Sequence, residues 1–368
     1  MLSPWTFINP WYYSQVYYIV MAVLTLFCII QYSRYSDIRI TNNNQSSTNV
    51  SAIVLIVIVI LFIGLRPIGD VFFDMNNYIR GFENRQYRGY GFEFNWNKEN
   101  VIFDNLYNYM AQNNFEIILF FLLISIIYFG CIYFAIKKIY PNDLFYALII
   151  YLGALATFSY GTNGIKAGAA ASIFLLAFAY YRKPIIAALF LWLSLGFHHS
   201  MSVVIAAFIL SYLVRNPKWF FYGWLFCLAM AIFHVTAFQE LFANFADESG
   251  SGYLLGKENE WGGRKGFRWD FILYVMPVVY IGWWTIYKHK LIDRLFQLLL
   301  CTFLTVNGIW MLCMYMPYNN RLAYLSWFIL PIVCIYPFLK FKIQNNQYKL
   351  LNWVASIYIS FSIYINCI

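Results

Sequence analysis

Eleven stretches of this chain run without a single Asp, Glu, Lys or Arg: 1–33, 40–65, 117–136, 144–165, 167–181, 184–214, 219–239, 271–287, 295–320, 322–339 and 350–368. Several exceed the roughly 20 residues that cross ~30 Å of hydrocarbon as a helix. In hydrocarbon no water satisfies a backbone N–H or C=O, so segments of this kind close their own hydrogen bonds as helices. Only 11% of the 368 residues are charged and 62% are hydrophobic, whereas a soluble domain carries about 25% charged residues. A soluble globule is excluded. The expected fold is all-α: one polytopic integral membrane domain over residues 1–368.

The 184–214 stretch is interrupted at its centre by Gly196, His198 and His199 and has basic residues at both ends. It reads as two short crossings with a turn, which brings the expected total to about 12 transmembrane helices. Counting alternate loops places 14 basic and three acidic residues on one side, a net +11, and leaves −2 on the other. Lys and Arg accumulate in cytoplasmic loops, so the +11 side is expected inside and both termini outside. The chain's net charge of +9 is therefore a topology signal, with no nucleic-acid partner implied. The Asn/Ser/Thr-rich run Arg39–Val50 reads as a flexible linker. Two long outer loops, about 66–115 and 239–267, carry Trp, Tyr, Arg and Asp together, and loops of that length are commonly functional. Short interfacial helices are expected in them. The beginning of the chain has no basic n-region or small-residue cleavage site, so its first span is expected to be retained.

Seven cysteines lie within or at the ends of apolar runs, with no CxxC and no His/Cys cluster. They read as small apolar packing residues. No carboxylate cluster has cation-ligand spacing, so no metal is expected, and no cofactor either.

The chemistry-bearing residues gather at the outer mouths of spans. Arg66, Asp70, Asp74 and Tyr78 follow the second span at spacings of four, which would align them on one helical face, although Pro67 and Gly69 argue that a helix starts only after them. They suit either a site or an interfacial helix paired with headgroups. Lys166, in SYGTNGIKAG, is the one cation between two uncharged runs; it could snorkel, or use the small-residue turn around Gly161, Asn163, Gly164 and Gly168 to meet another group. His198 and His199 interrupt an apolar run, where ionisable residues are functional candidates; the plain alternative is a neutral His capping a helix end. His234 reads as alone in an apolar span and His289 as part of a basic inner loop. Arg264, Lys265, Arg268 and Asp270 open a span on the outer side, against the positive-inside trend, so a bound polyanion would compensate them. Arg321 stands alone at another outer mouth. Guanidiniums match phosphate oxygens bidentately, and a His or Asp beside them could act as general base on a hydroxyl. The set suits group transfer from a lipid pyrophosphate, with Arg stabilising the leaving group.

Five motifs occur in order over about 60–335: GLRPIG…FDMNNY, SYGTNGIKAGAAAS, LGFHHS, GFRWDF and MPYNNRLAYLSWFILP. Together they resemble the EpsG-like family of bacterial Wzy-type polymerases of O-antigen and capsular polysaccharide. The resemblance implies a GT-C-like fold in the bacterial inner membrane with its active site facing the periplasm. There a growing glycan would pass from undecaprenyl pyrophosphate to a lipid-linked repeat unit. It places the span-end Arg on Arg66, the D-x-x-x-Y element on Asp74 and Tyr78, the H-x-S element on His198 and Ser200, and the later arginines on Arg268 and Arg321. On it catalysis is assigned to His198, Asp74, Arg268 and Arg321 and substrate binding to Arg66, Tyr78 and Lys166, while Asp70, Asn163 and Arg264 join the binding set from their places beside these residues. His198 and Asp74 compete for the role of base. Relatives usually carry Arg where this chain has Lys166, which keeps the charge but lacks the bidentate fork. The implied partners are the undecaprenyl-pyrophosphate-linked oligosaccharide and membrane lipid, and a chain-length regulator is admitted. Three rivals stand beside this reading: a lipid-linked oligosaccharide flippase or other transporter, a membrane O-acyltransferase, and the mechanistically adjacent O-antigen ligase.

Overall fold

The structure, a computed structural model, describes residues 4–33, 42–88, 91–239, 266–317 and 319–367. Among them every regular element is helical. The helices are α1 (Tyr13–Ser33), α2 (Asn42–Gly64), α3 (Phe73–Arg88), α4 (Val101–Gln112), α5 (Ile117–Ile139), α6 (Leu144–Leu152), α7 (Leu155–Thr162), α8 (Ile165–Ala179), α9 (Pro184–Phe197), α10 (Met201–Leu213), α11 (Pro217–Ile232), α12 (Trp269–Trp283, continued by a π turn Trp284–Lys288), α13 (Arg294–Leu312), α14 (Asn319–Trp327), α15 (Leu330–Lys340) and α16 (Gln347–Cys367). Six helical stretches among the described residues are long and apolar enough to span a membrane, and a seventh if α6 and α7 count as one broken span. Five shorter apolar helices accompany them. Length and composition alone thus give fewer spans than the twelve expected. The chain is a helical membrane protein, and rows of exposed apolar side chains such as Ile19, Val23, Leu26 and Ile30 on α1 suit a lipid surface.

Local chemistry sets the helix boundaries. Pro184 and Pro217 stand at the first turns of α9 and α11, where a missing N–H is harmless. Asp293 caps α13, its carboxylate accepting from Phe296 N at 2.8 Å and from the Tyr336 hydroxyl at 2.9 Å. The sequence reading of 39–50 as a linker is corrected here: α2 begins at Asn42. Once the apolar 49–64 segment is helical, each further residue adds a hydrogen bond at low cost, so the helix extends into the polar run.

The helices form two compact units. The first comprises Met1–His198 and Phe338–Ile368. Within it α8 packs against α5 and α9, α2 against α5, and α1 against α16. Helix α8 is buried on nearly every side, its IKAGAAAS start bringing small residues to the contacts. At Gly168 an added Cβ would lie 2.6 Å from the Tyr160 carbonyl oxygen, so only glycine lets α8 come this close to α7. Helices α6 and α7 meet at 70°. The bend frees carbonyls in the last turn of α6, and buried side chains meet them: Tyr17 Oη donates to Leu152 O at 2.8 Å and Thr157 Oγ1 to Tyr151 O at 2.7 Å. Broken backbone in hydrocarbon survives only with such internal partners.

The second unit, His199–Pro337, is centred on α13, which packs against α10, α11 and α14. Asn307, fully buried on α13, accepts from Trp224 Nε1 of α11 at 2.8 Å and donates to Ser326 Oγ of α14 at 3.2 Å, tying three helices with one amide.

Candidate functional site

In the first unit the chain leaves α2 at Gly64 and Arg66 turns back into the protein, where it is 1% exposed. Its Nη1 donates to Ile63 O and its Nη2 to Thr162 O, both at 2.9 Å. One guanidinium therefore serves carbonyls at the C-terminal ends of α2 and α7, where helix dipoles favour a cation. Its face lies 4.8 Å from the Phe121 ring and 5.4 Å from the Phe72 ring. Burial pulls its pKa down to about 10. The expected helical alignment of Arg66, Asp70, Asp74 and Tyr78 is not formed, because α3 starts only at Phe73, after the Pro67–Gly69 turn. Asp70 is exposed in that connection and accepts from Asn76 Nδ2 at 2.7 Å. Asp74 lies in the first turn of α3, where a carboxylate is favoured, and is half-buried. One turn later, Tyr78 points its ring at Phe103 and Tyr107, each 6.0 Å away.

Phe103, on α4, is the hub of this cluster. It lies 1% exposed beneath Lys166, whose Nζ is 5.0 Å from the ring centroid. The next residue, Asp104, faces Lys166 Nζ at 3.4 Å. Lys166 itself is 9% exposed, so it does not snorkel; it is a nearly buried ammonium with a carboxylate and an aromatic face for company. Three residues earlier, where α7 ends, the Asn163 Oδ1 is buried with no donor among the described residues. Phe103 also meets Phe197 edge-on at 6.3 Å. Gly196 permits that approach, since a Cβ there would lie 2.6 Å from Ile102 Cδ1. The residue after Phe197 is His198. It ends α9 in an extended conformation (φ −154°, ψ 123°), donates its N–H to Ser194 O at 3.1 Å, and is half-buried. Helix α4 thus draws the lysine motif and the Gly196–His198 end of α9 to one place within the unit.

In the second unit Arg268 stands at the entry of α12. Its Nε and Nη2 donate to the two carboxylate oxygens of Asp270 at 2.9 and 2.7 Å, and its Cζ lies 3.4 Å from the Phe271 ring centroid. The fork anticipated for a phosphate therefore already holds a planar anion in this state. The Arg268 N–H donates to Met314 Sδ at 3.0 Å, tying the α12 entry to the turn that leads into α14 and Arg321. Arg321 is half-buried in the first turn of that helix. Arg264 and Lys265 lie outside the described residues, as does most of the 239–267 loop. His234 needs correction. It lies beyond the end of α11 rather than inside a span, exposed, in a left-handed conformation (φ 56°), with its ring stacked on Tyr315 at 3.9 Å. No group of three or more His, Cys, Asp or Glu with metal-holding geometry occurs among the described residues.

The sequence profile of the EpsG family matches residues 49–368, a span that contains all five motifs. The chain belongs to the EpsG family. No curated protein and no solved structure matches it. The EpsG motifs account for Lys166 and His198 but are silent on Asp104 and Phe103. Asp104 lies 62 positions from its lysine in FDNLYNY, with no spacing to distinguish it from other acids of the 66–115 region. The only signal in the sequence was that Lys166, isolated in an apolar run, would need a counter-charge.

Proposed function

We propose that this EpsG-family protein is a glycosyltransferase that polymerises a bacterial surface polysaccharide. The growing glycan on undecaprenyl pyrophosphate is transferred to the terminal sugar of a lipid-linked repeat unit at the periplasmic face of the inner membrane. In the same reading the five shorter apolar helices complete about twelve crossings of a GT-C-like architecture.

The observation that carries the proposal is the first unit's cluster, where Lys166 faces Asp104 and lies over Phe103, whose ring also meets Tyr78; Asn163, three residues before Lys166, has a buried Oδ1 with no donor among the described residues. A cation, a carboxylate, an amide acceptor and aromatic faces are the groups that hold a sugar: hydroxyls donate to the oxygens while the apolar ring face packs on an aromatic. Bond exchange needs a base for the acceptor hydroxyl and a cation for the departing pyrophosphate. His198 or Asp74 takes the proton as the hydroxyl oxygen attacks the anomeric carbon. The bond from that carbon to the pyrophosphate oxygen breaks, and a cation stabilises the leaving charge: the candidate in the first unit is Lys166, and those in the second are Arg268 and Arg321. Asp270 acts on Arg268 as a built-in counter-ion that the pyrophosphate displaces. Arg66 holds the ends of α2 and α7 in place. Asp70 and Arg264 are assigned to substrate binding at the outer surface.

The test is deletion of the gene in its host, complementation with wild type, Arg268→Ala or Lys166→Ala, and a gel of the surface polysaccharide. The expected result is loss of the ladder with survival of a single-repeat band, restored only by wild type. An unchanged ladder refutes the proposal, and single repeats retained inside the cell point to a flippase instead.

A further inference from the structure

A second polar site lies in the first unit, joined to the Lys166 cluster through the Tyr107 and Tyr78 rings. A cavity of about 400 Å³ is lined by Gly81, Asn84 and Arg85 of α3 and by Lys98 of the segment that precedes α4. That volume is within the range of small-molecule sites. Among the described residues its lining supplies two cations and one amide, a set that favours a small hydrophilic anion. Arg85 is fixed in advance. Its Nε donates to Asn108 Oδ1 at 2.6 Å, its Nη1 to Gly81 O at 2.8 Å, and its guanidinium carbon lies 4.9 Å from the Tyr107 ring centroid. Both acceptors are neutral, so the charge stays uncompensated while the side chain has already lost its rotamer freedom on folding. Neither Arg85 nor Lys98 meets a carboxylate among the described residues. Two uncompensated cations at one polar cavity are what an anion requires. Three strongly exposed aromatics, Tyr87, Phe94 and Trp96, flank these residues in the chain and offer faces for sugar rings.

We propose that this cavity binds a carboxylate-bearing sugar of the glycan, so that the enzyme prefers an acidic repeat unit. The carboxylate is held between Arg85 and Lys98, and Asn84 engages a neighbouring hydroxyl. The choice of a saccharide rests on the polymerase reading; the anionic character of the ligand rests on the cavity alone.

The test uses the full chain in nanodiscs of neutral phosphatidylcholine, titrated by calorimetry with a glucuronic-acid-containing disaccharide and with its neutral glucose counterpart. The acidic disaccharide is expected to bind at least tenfold more tightly, with a preference that weakens as salt rises. Arg85→Gln/Lys98→Gln should abolish the preference, with the unfolding midpoint lowered by loss of the hydrogen bonds to Asn108 and Gly81. If the double variant unfolds, Lys98→Gln alone, at a side chain with no hydrogen-bond partner among the described residues, should still reduce the preference several-fold. Equal binding of the two disaccharides, or a preference unchanged in the variants, overturns the proposal. So does a cavity that responds only to phosphatidylglycerol in the disc and not to the acidic sugar. Failure here with the ladder still lost on gene deletion removes this site alone. Acidic-sugar binding with an intact ladder removes the polymerase reading and leaves the site.

Discussion

Asp104→Asn removes the charge facing Lys166 and keeps the side chain's shape. At 3.4 Å two unit charges attract by about 5 kcal/mol at an effective dielectric near 20. That attraction overstates the net effect, because the two side chains are 11% and 27% exposed and keep part of their hydration. Exposed pairs contribute roughly 0–1 kcal/mol, and breaking a fully buried pair costs about 3–5 kcal/mol. A pair between these limits should cost about 1–3 kcal/mol when the carboxylate is lost, since the ammonium over Phe103 then stays buried without it. Lys166→Met keeps an unbranched side chain on the Phe103 ring and leaves Asp104, the more exposed partner, to rehydrate, so it should cost less. The double variant should resemble Lys166→Met in stability rather than the sum of the two losses. The measurement is a double-mutant cycle of thermal unfolding on detergent-purified protein, with the polysaccharide gel run on the same four strains. Lys166→Met and the double variant should lose the ladder even where they fold. Strict additivity, within about 0.3–0.5 kcal/mol, would refute the ion pair. A full ladder from Lys166→Met would refute the cation's role in transfer.

Three further outcomes are expected. Gly168→Ala drives a Cβ to 2.6 Å from backbone oxygen at Tyr160, which cannot give way as a side chain would, so folded yield should fall sharply, by about 1–3 kcal/mol or more in unfolding assays. Asn307→Ala leaves the buried Trp224 N–H without an acceptor and should cost about 1–3 kcal/mol, whereas Asn307→Ala combined with Trp224→Phe should recover part of that loss. Polymerisation by wild-type membranes should continue at full rate in excess EDTA, because guanidinium and ammonium groups supply the positive charge; abolition rescued by Mg²⁺ would contradict that assignment.

The amino-acid sequence by itself determined the class of the protein. Charge-free apolar runs leave the backbone no partners but its own, so a helical membrane protein follows from solvation alone, and the break at His198–Ser200 between α9 and α10 was legible because Gly, His and His interrupt one such run. Family membership was legible too, because the motifs carry unusual polar residues at fixed places in an apolar background. Tertiary structure decided the rest. It bent the 144–162 segment by 70°, a geometry that depends on Tyr17 reaching a freed carbonyl from another helix. It extended α2 into a polar run that composition marks as linker. It moved His234 out of a span and onto Tyr315. Above all, it gave Lys166 its carboxylate: Asp104 is unremarkable in sequence, and only the packing of α4, admitted by the missing side chain of Gly196, carries it to a buried lysine that needs it. Periodicity and hydropathy are local properties and survive in the string of residues, whereas the partner of a buried charge is fixed by which helices touch.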